Sequence, residues 1–125
     1  MFCDKFRSRL IVAALLLGVF VSFSAEAALD LKWYRHSKSL PEAQEHVESY
    51  ISGLRDGIIL LDAYRHRFEN INEKFCTSGK GLSAANTIAL VDLEIAALPN
   101  GKPYPEDIPI VFILIKALER FAPCK

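Results

Sequence analysis

The sequence predicts a small all-α domain, a bundle of three main helices that one disulfide holds together. Three observations support this: apolar residues recur at helical spacing, turn-forming residues separate the helical stretches, and an even number of cysteines follows an export segment. The chain has 125 residues and a formal net charge of +0. Its length suits a single domain, and its neutral charge provides no field to attract phosphate backbones, so we expect no nucleic-acid partner.

Residues 1–27 have the pattern of a secretory signal peptide. Basic residues precede the apolar stretch 10–21, which is shorter than the roughly 20 residues that a membrane-spanning helix needs. Ala25 and Ala27 supply the small side chains that a signal peptidase reads. We therefore expect cleavage after Ala27, a single periplasmic domain over 28–125, and no membrane contact after cleavage.

Two cysteines, Cys76 and Cys124, remain after this cleavage. An even number of cysteines in an oxidising compartment predicts a disulfide. Such a bridge would stabilise the fold by about 4 kcal/mol through the entropy of the unfolded chain. A catalytic role for Cys76 with a histidine base is the alternative, but the bridge would consume its thiol.

The first main helix is predicted to start at Ser39, where Ser39 and Glu42 match a capping box. Gly53 and Gly57 lie four residues apart on nearly one face, a pattern that indicates close helix packing or a bend. The helix is amphipathic and about 28 residues long. Its apolar stripe consists of Ala43, Val47, Tyr50, Ile51, Leu54, Ile58, Leu61 and Phe68.

The next two segments are a loop and a second helix. Residues 69–81 lack helical periodicity and carry Cys76. Ser83 is the predicted N-cap of the second helix, with Leu82 as its hydrophobic staple. The Pro-Asn-Gly sequence at 99–101 ends this helix.

The apolar run 108–115 fits either a strand or a buried helix by periodicity alone. Pro109 after an Asp107 cap, and the continuation of helical spacing over 116–121, favour a helix. Because it is apolar all round, we expect this third helix to be central and buried. A short additional segment is expected around 28–33.

No motif indicates catalysis or a cofactor. His36, His46 and His66 are too far apart in sequence for a local zinc site and are interpreted as surface residues. The chain has no nucleophile elbow, Walker loop or dinucleotide-binding glycine motif. We therefore expect no metal, no cofactor and no enzymatic activity. A cell-wall hydrolase is a further hypothesis, but the sequence shows no set of residues that would form its active site.

Four features in one order resemble the Rap/Tai family of immunity proteins. They are Y-I-S-G-L-x-x-G at 50–57, F-C at 75–76, Leu82 at the start of the second helix, and A-L-x-x-x-x-P-C at 117–124. The resemblance covers nearly the whole mature chain. It implies an all-helical, disulfide-bonded periplasmic protein, often a homodimer, that is not an enzyme. It also implies that the protein binds and blocks a peptidoglycan amidase delivered by a type VI secretion system.

The resemblance implies that inhibition occurs by insertion of a protruding element into the cleft of the amidase. We hypothesise that the proline-rich segment 98–107 is this element, because a stiff loop loses little entropy on insertion. The alternative is that the segment only connects two helices. The hypothesis assigns partner contacts to Asn100, Lys102, Tyr104 and Glu106.

A different class of function is a small periplasmic chaperone, a holdase that binds unfolded proteins through exposed apolar surface. Small helical acid chaperones also contain one disulfide across a similar span. The absence of highly charged, lysine-rich ends favours the immunity function over this alternative.

Overall fold

The computed structural model describes residues 28–77 and 82–124, which form an all-α bundle with no strands among them. This confirms the predicted fold class, including three main helices and a short N-terminal one. The predicted signal peptide, 1–27, lies outside the described residues. The helices are α1 (Leu31–Lys38), α2 (Gln44–Glu69), α3 (Ala84–Ala96) and α4 (Ile110–Phe121). None of these combines the length and apolar composition that a membrane crossing requires.

The core lies mainly between α4 and the helices α1, α2 and α3. One face of α4 is fully buried, as predicted for a central helix. The opposite face is not buried, because Phe112 is 55% exposed and Lys116 is also exposed. The expectation that this helix is buried all round is therefore wrong. The core residues are Leu31, Tyr34, Val47, Ile51, Phe75, Val91, Ile110, Ile113, Leu114 and Leu118.

The predicted capping box at Ser39 is wrong. Ser39 ends α1, and its Oγ donates a hydrogen bond to the carbonyl oxygen of His36 at 2.6 Å. The residues Pro41–Ala43 form a 3₁₀ turn, and α2 begins only at Gln44. The serine hydroxyl therefore satisfies a free carbonyl at the end of one helix instead of a free N–H at the start of the next.

The starts of the other two helices give one confirmation and one correction. The Ser83 Oγ accepts a hydrogen bond from the Asn86 N–H at 3.1 Å, so the predicted N-cap of α3 is confirmed. The N-cap of α4 is Pro109 and not Asp107. The Ile110 N–H donates to the carbonyl oxygen of Leu29 at 2.9 Å, so the chain before α1 supplies the acceptor that a capping side chain would otherwise provide.

Helix α2 has an inner and an outer apolar face. Val47 and Ile51 on the inner face are buried, as predicted. Leu61 and Phe68 of the predicted stripe are exposed, so the buried side of α2 does not include the whole stripe. No atom of the described chain lies within 4 Å of a Cβ built at Gly53 or Gly57, so neither glycine packs against another element of the described chain. We define the outer face of α2 as Gly53, Gly57, Leu60, Leu61, Tyr64 and Phe68.

The predicted disulfide between Cys76 and Cys124 is present, with 4.7 Å between the two Cα atoms. Two backbone hydrogen bonds flank it. The Cys76 N–H donates to the carbonyl oxygen of Ala122 at 3.0 Å, and the Cys124 N–H donates to that of Lys74 at 3.1 Å. The bridge thus joins the loop after α2 to the chain end after α4.

Replacing both cysteines, Cys76→Ser with Cys124→Ser, should lower the free energy of unfolding by about 4 kcal/mol, because the bridge closes a sequence separation of 48 residues. Urea denaturation followed by circular dichroism measures this loss. Chemically reduced wild-type protein is the control and should unfold at the same urea concentration as the variant. A loss below about 1 kcal/mol would show that the bridge contributes little to this fold.

Candidate functional site

The segment 98–107 and the outer side of α4 enclose an open groove of about 650 Å³. Its apolar part comes from three side chains of the α4 region and two prolines of the loop. Exposed cationic side chains stand beside them. The apolar residues are Ile108, Phe112, Ile115, Pro103 and Pro105, and the cationic residues are Lys102, Lys116 and Arg120.

A buried carboxylate, Glu94 of α3, holds this groove together. Glu94 is 1% exposed. Its Oε2 accepts from Arg120 Nε at 2.6 Å, and its Oε1 accepts from the Tyr104 hydroxyl at 2.7 Å. Burial raises the pKa of Tyr104 most, and the hydrogen bond to Glu94 raises it further, to about 12. The hydroxyl therefore stays a donor at physiological pH, and one carboxylate links α3, the loop and α4.

The end of the loop nearest α4 is fixed to the start of α1. The Lys32 N–H donates to the carbonyl oxygen of Glu106, and the Leu31 N–H donates to that of Ile108, both at 3.0 Å. The Arg35 guanidinium also forms an ion pair with the Glu106 carboxylate. These contacts use the free N–H groups in the first turn of α1 and give the loop a fixed base.

The other end of the loop, which directly follows α3, forms an exposed turn that we call the tip. Leu98, Asn100 and Gly101 have φ angles of 44°, 59° and 71°, which lie in the left-handed region. The Gly101 N–H donates to the carbonyl oxygen of Leu98 at 2.8 Å and closes the turn. Glycine and asparagine adopt this region readily, whereas the leucine stores about 1–3 kcal/mol of strain.

The structure places three of the four predicted contact residues at the groove. Asn100 and Lys102 are exposed and line it, and Tyr104 lines it while its hydroxyl is bonded to Glu94. Glu106 does not line the groove, because its carboxylate pairs with Arg35 of α1. Its predicted partner contact stays a prediction, and the ion pair adds a role in fixing the loop.

Sequence reasoning missed six residues of the site: Glu94, Ile108, Phe112, Ile115, Lys116 and Arg120. The signal for Glu94 was present, because a charged residue three positions after Val91 interrupts the apolar stripe of the second helix. Phe112 had no such signal. Its segment is apolar at every position from 110 to 115, so periodicity could not identify the outward side.

The remaining candidate chemistry does not assemble into a second site among the described residues. His36, His46 and His66 are all exposed, which confirms their interpretation as surface residues. The ligand atoms of Glu73 and the two cysteines lie within 4.8 Å of one another. Because these sulfur atoms form the disulfide, they are not available as thiolate ligands, and the group is not a candidate metal site.

Comparison with known proteins returns no neighbour for this chain. No family model, no curated protein and no solved structure matches it. The Rap/Tai resemblance therefore rests on the sequence features alone, and the function has to be inferred from the residues of the groove and loop.

Replacing Tyr104 by Phe should lower the free energy of unfolding by about 1.5 kcal/mol, because Glu94 loses a hydrogen bond to a charged group. The tyrosine pKa is 10.0 without the fold and about 12 within it, so the protonated hydroxyl is the stabilising form. The difference between wild type and variant should be constant below pH 10 and should shrink between pH 10 and about 12.

Urea denaturation across this pH range measures that difference. Tyr64→Phe is the matched control, because Tyr64 is 52% exposed on α2 and its hydroxyl has no bond to a buried carboxylate. The control should leave the unfolding free energy unchanged at every pH. An equal loss in both variants would exclude the Glu94 contact as the cause.

Proposed function

We propose that this protein is a periplasmic immunity protein that inhibits a peptidoglycan amidase delivered by a type VI secretion system. In this proposal the segment 98–107 enters the active-site cleft of the amidase. One observation carries it: the loop combines a base that is bonded to α1 and Glu94 with an exposed, left-handed tip. The Rap/Tai resemblance of the sequence gives the partner class.

The fixed base of the loop favours binding over a simple connecting role. A loop that already has its bound conformation loses little conformational entropy when it enters a cleft. Strained backbone persists where the surrounding structure over-determines it, and it clusters at ligand-binding sites. Leu98, which directly follows the C-cap of α3, has such a backbone angle.

The groove beside the loop provides a second contact area for the amidase. Phe112 is 55% exposed and lies among Ile108, Ile115 and two prolines. Large aromatic side chains in such settings contribute much of the energy of protein interfaces. The adjacent Lys102 and Lys116 would favour a partner surface that carries carboxylates around an apolar side chain.

The disulfide supports the proposed compartment. Bridges of this kind form and persist in oxidising environments such as the bacterial periplasm and are rare in reducing cytosol. Cys76 is exposed even though it is part of the bridge, so reduction would be unhindered in a cytosolic protein. Together with the predicted signal peptide, the disulfide supports the periplasm, the compartment that contains peptidoglycan, as the proposed location.

Replacing Phe112 by Ala should weaken binding of the amidase by at least about tenfold, which corresponds to about 1.4 kcal/mol. Titration calorimetry gives the binding constant, and the release of peptide fragments from peptidoglycan gives the inhibition. Leu93→Ala is the matched control, because Leu93 is 53% exposed on α3 and does not line the groove. Circular dichroism should show the same helix content for both variants.

Two outcomes would contradict parts of this proposal. If excess protein does not inhibit a secreted amidase encoded beside its gene, the immunity function is wrong. If inhibition occurs but Phe112→Ala and Leu93→Ala behave alike, the function stands and the groove is not the contact surface.

The alternative function, a holdase, is favoured by one specific observation. The outer face of α2 exposes four large apolar side chains, and surfaces of this kind bind unfolded proteins. A holdase should prevent the aggregation of several unrelated proteins at low pH. An immunity protein should leave their aggregation unchanged and bind one enzyme tightly.

A further inference from the structure

The groove beside the loop has an apolar end and a cationic end. Phe112, Lys116 and Arg120 line it and follow one another at intervals of four residues, so they form a row along one side of α4. Phe112 and Arg120 are about 12 Å apart along the helix axis. Ile108, just before α4, adds a second apolar side chain at the Phe112 end. The groove thus separates apolar contacts from positive charge along its length.

The loop forms the opposite wall of the groove, and this wall is also largely apolar. Pro103 and Pro105 line it, and neither has a backbone N–H to offer to a ligand. The Tyr104 ring between them lines the groove while its hydroxyl is held by Glu94. Because the loop is also bonded to α1, an apolar chain would enter between two walls that are already formed.

The guanidinium of Arg120 is fixed in position but still has donors to offer. Glu94 accepts from its Nε at 2.6 Å and from its Nη2 at 3.3 Å, which holds the planar group in one orientation. These two bonds leave the N–H groups of Nη1 for another acceptor. The side chain is 46% exposed, so a ligand in the groove can reach them.

Two lysines add positive charge to the groove. Lys116 donates to Glu119 at 2.8 Å, and the other N–H groups of its ammonium remain for a ligand. Lys102 lines the opposite wall and is exposed. With Arg120, three cations line the groove, and Glu94 is the only carboxylate among the described residues that line it. The net charge of the groove is therefore positive, which favours an anion.

We propose that this groove binds an alkyl carboxylate, a molecule with one carboxylate head and one unbranched apolar chain. The head pairs with Arg120 and Lys116, because a guanidinium matches the two oxygens of a carboxylate. The chain lies against Phe112 and Ile108 on one side and the prolines on the other. The volume of about 650 Å³ lies within the range of about 300–1,000 Å³ that is usual for small-molecule sites. The proposal does not depend on the immunity function, because it needs no amidase.

Titration calorimetry with octanoate, below the concentration at which it forms micelles, tests the class of ligand. Octanoate should bind saturably, with one molecule per protein molecule. Octanol has the same chain without the charge and should bind at least about tenfold more weakly, because the cations lose their partner. Acetate has the head without the chain and should show no measurable binding.

Substitutions test the location of the ligand. Phe112→Ala removes a contact to the chain and Lys116→Gln removes a contact to the head, so each should weaken octanoate binding at least about fivefold. Leu93→Ala and Lys74→Gln are the matched controls, because both residues are exposed and neither lines the groove. The controls should leave the binding constant unchanged. Circular dichroism should show the same helix content in all four variants, because all four side chains are exposed.

The outer face of α2 is the competing surface for an alkyl chain, and Leu60→Ala tests it. Leu60 is 72% exposed, and its replacement should leave octanoate binding unchanged. If Leu60→Ala weakens binding and Phe112→Ala does not, the groove is excluded as the site.

The remaining outcomes overturn defined parts of the proposal. Octanoate that does not bind saturably excludes the site. Equal affinities for octanoate and octanol exclude the carboxylate as the recognised group, and equal effects of Lys116→Gln and Lys74→Gln exclude the head position at Lys116. None of these measurements involves an amidase, so their failure leaves the proposed immunity function unaffected.

Discussion

Helix α4 is held at both of its ends by extended backbone from elsewhere in the chain, and the rest of the bundle is arranged around it. At its start, Pro109 pairs with Asp30, directly before α1. After its end, Pro123 pairs with Phe75 in the loop that follows α2. The disulfide closes beside the second pair. These two contacts fix the position of α4 relative to the start of α1 and to the loop after α2, while the core-facing side of α4 is fully buried.

The contacts at the start of α4 also determine the position of the loop 98–107 at the candidate site. The hydrogen bonds that fix the start of α4 continue into those that hold the end of the loop against α1. Glu94 adds a third attachment through Tyr104 and Arg120. Apart from Tyr104, the described side chains of the loop are exposed, including those of Asn100 and Lys102. A fixed base and an exposed tip are the arrangement that reduces the entropy cost of binding a partner.

Helix α2 is less completely covered, because the second half of the helix contacts the rest of the described chain on one side only, through residues such as Ile58 and Asp62. Val47 and Ile51 face the core, whereas Leu60, Tyr64 and Phe68 face away from it. A helix with apolar residues on two sides leaves one of them in solvent unless something outside covers it. The packing of the described chain therefore accounts for the inner apolar residues of α2 and leaves those of its outer face exposed.

Local patterns in the sequence determined where the helices lie, where α3 begins at Ser83, and which cysteines pair. The helix positions and the Ser83 cap depend on neighbouring residues, so periodicity and capping chemistry predict them. The disulfide follows from the number of cysteines that remain after cleavage. Contacts between distant segments decided the rest. Glu106 pairs with Arg35 of α1, and Phe112 points outward from the segment 110–115, which is apolar at every position. In each case the residue's role depends on what the fold brings beside it, and no local pattern in the sequence contains that information.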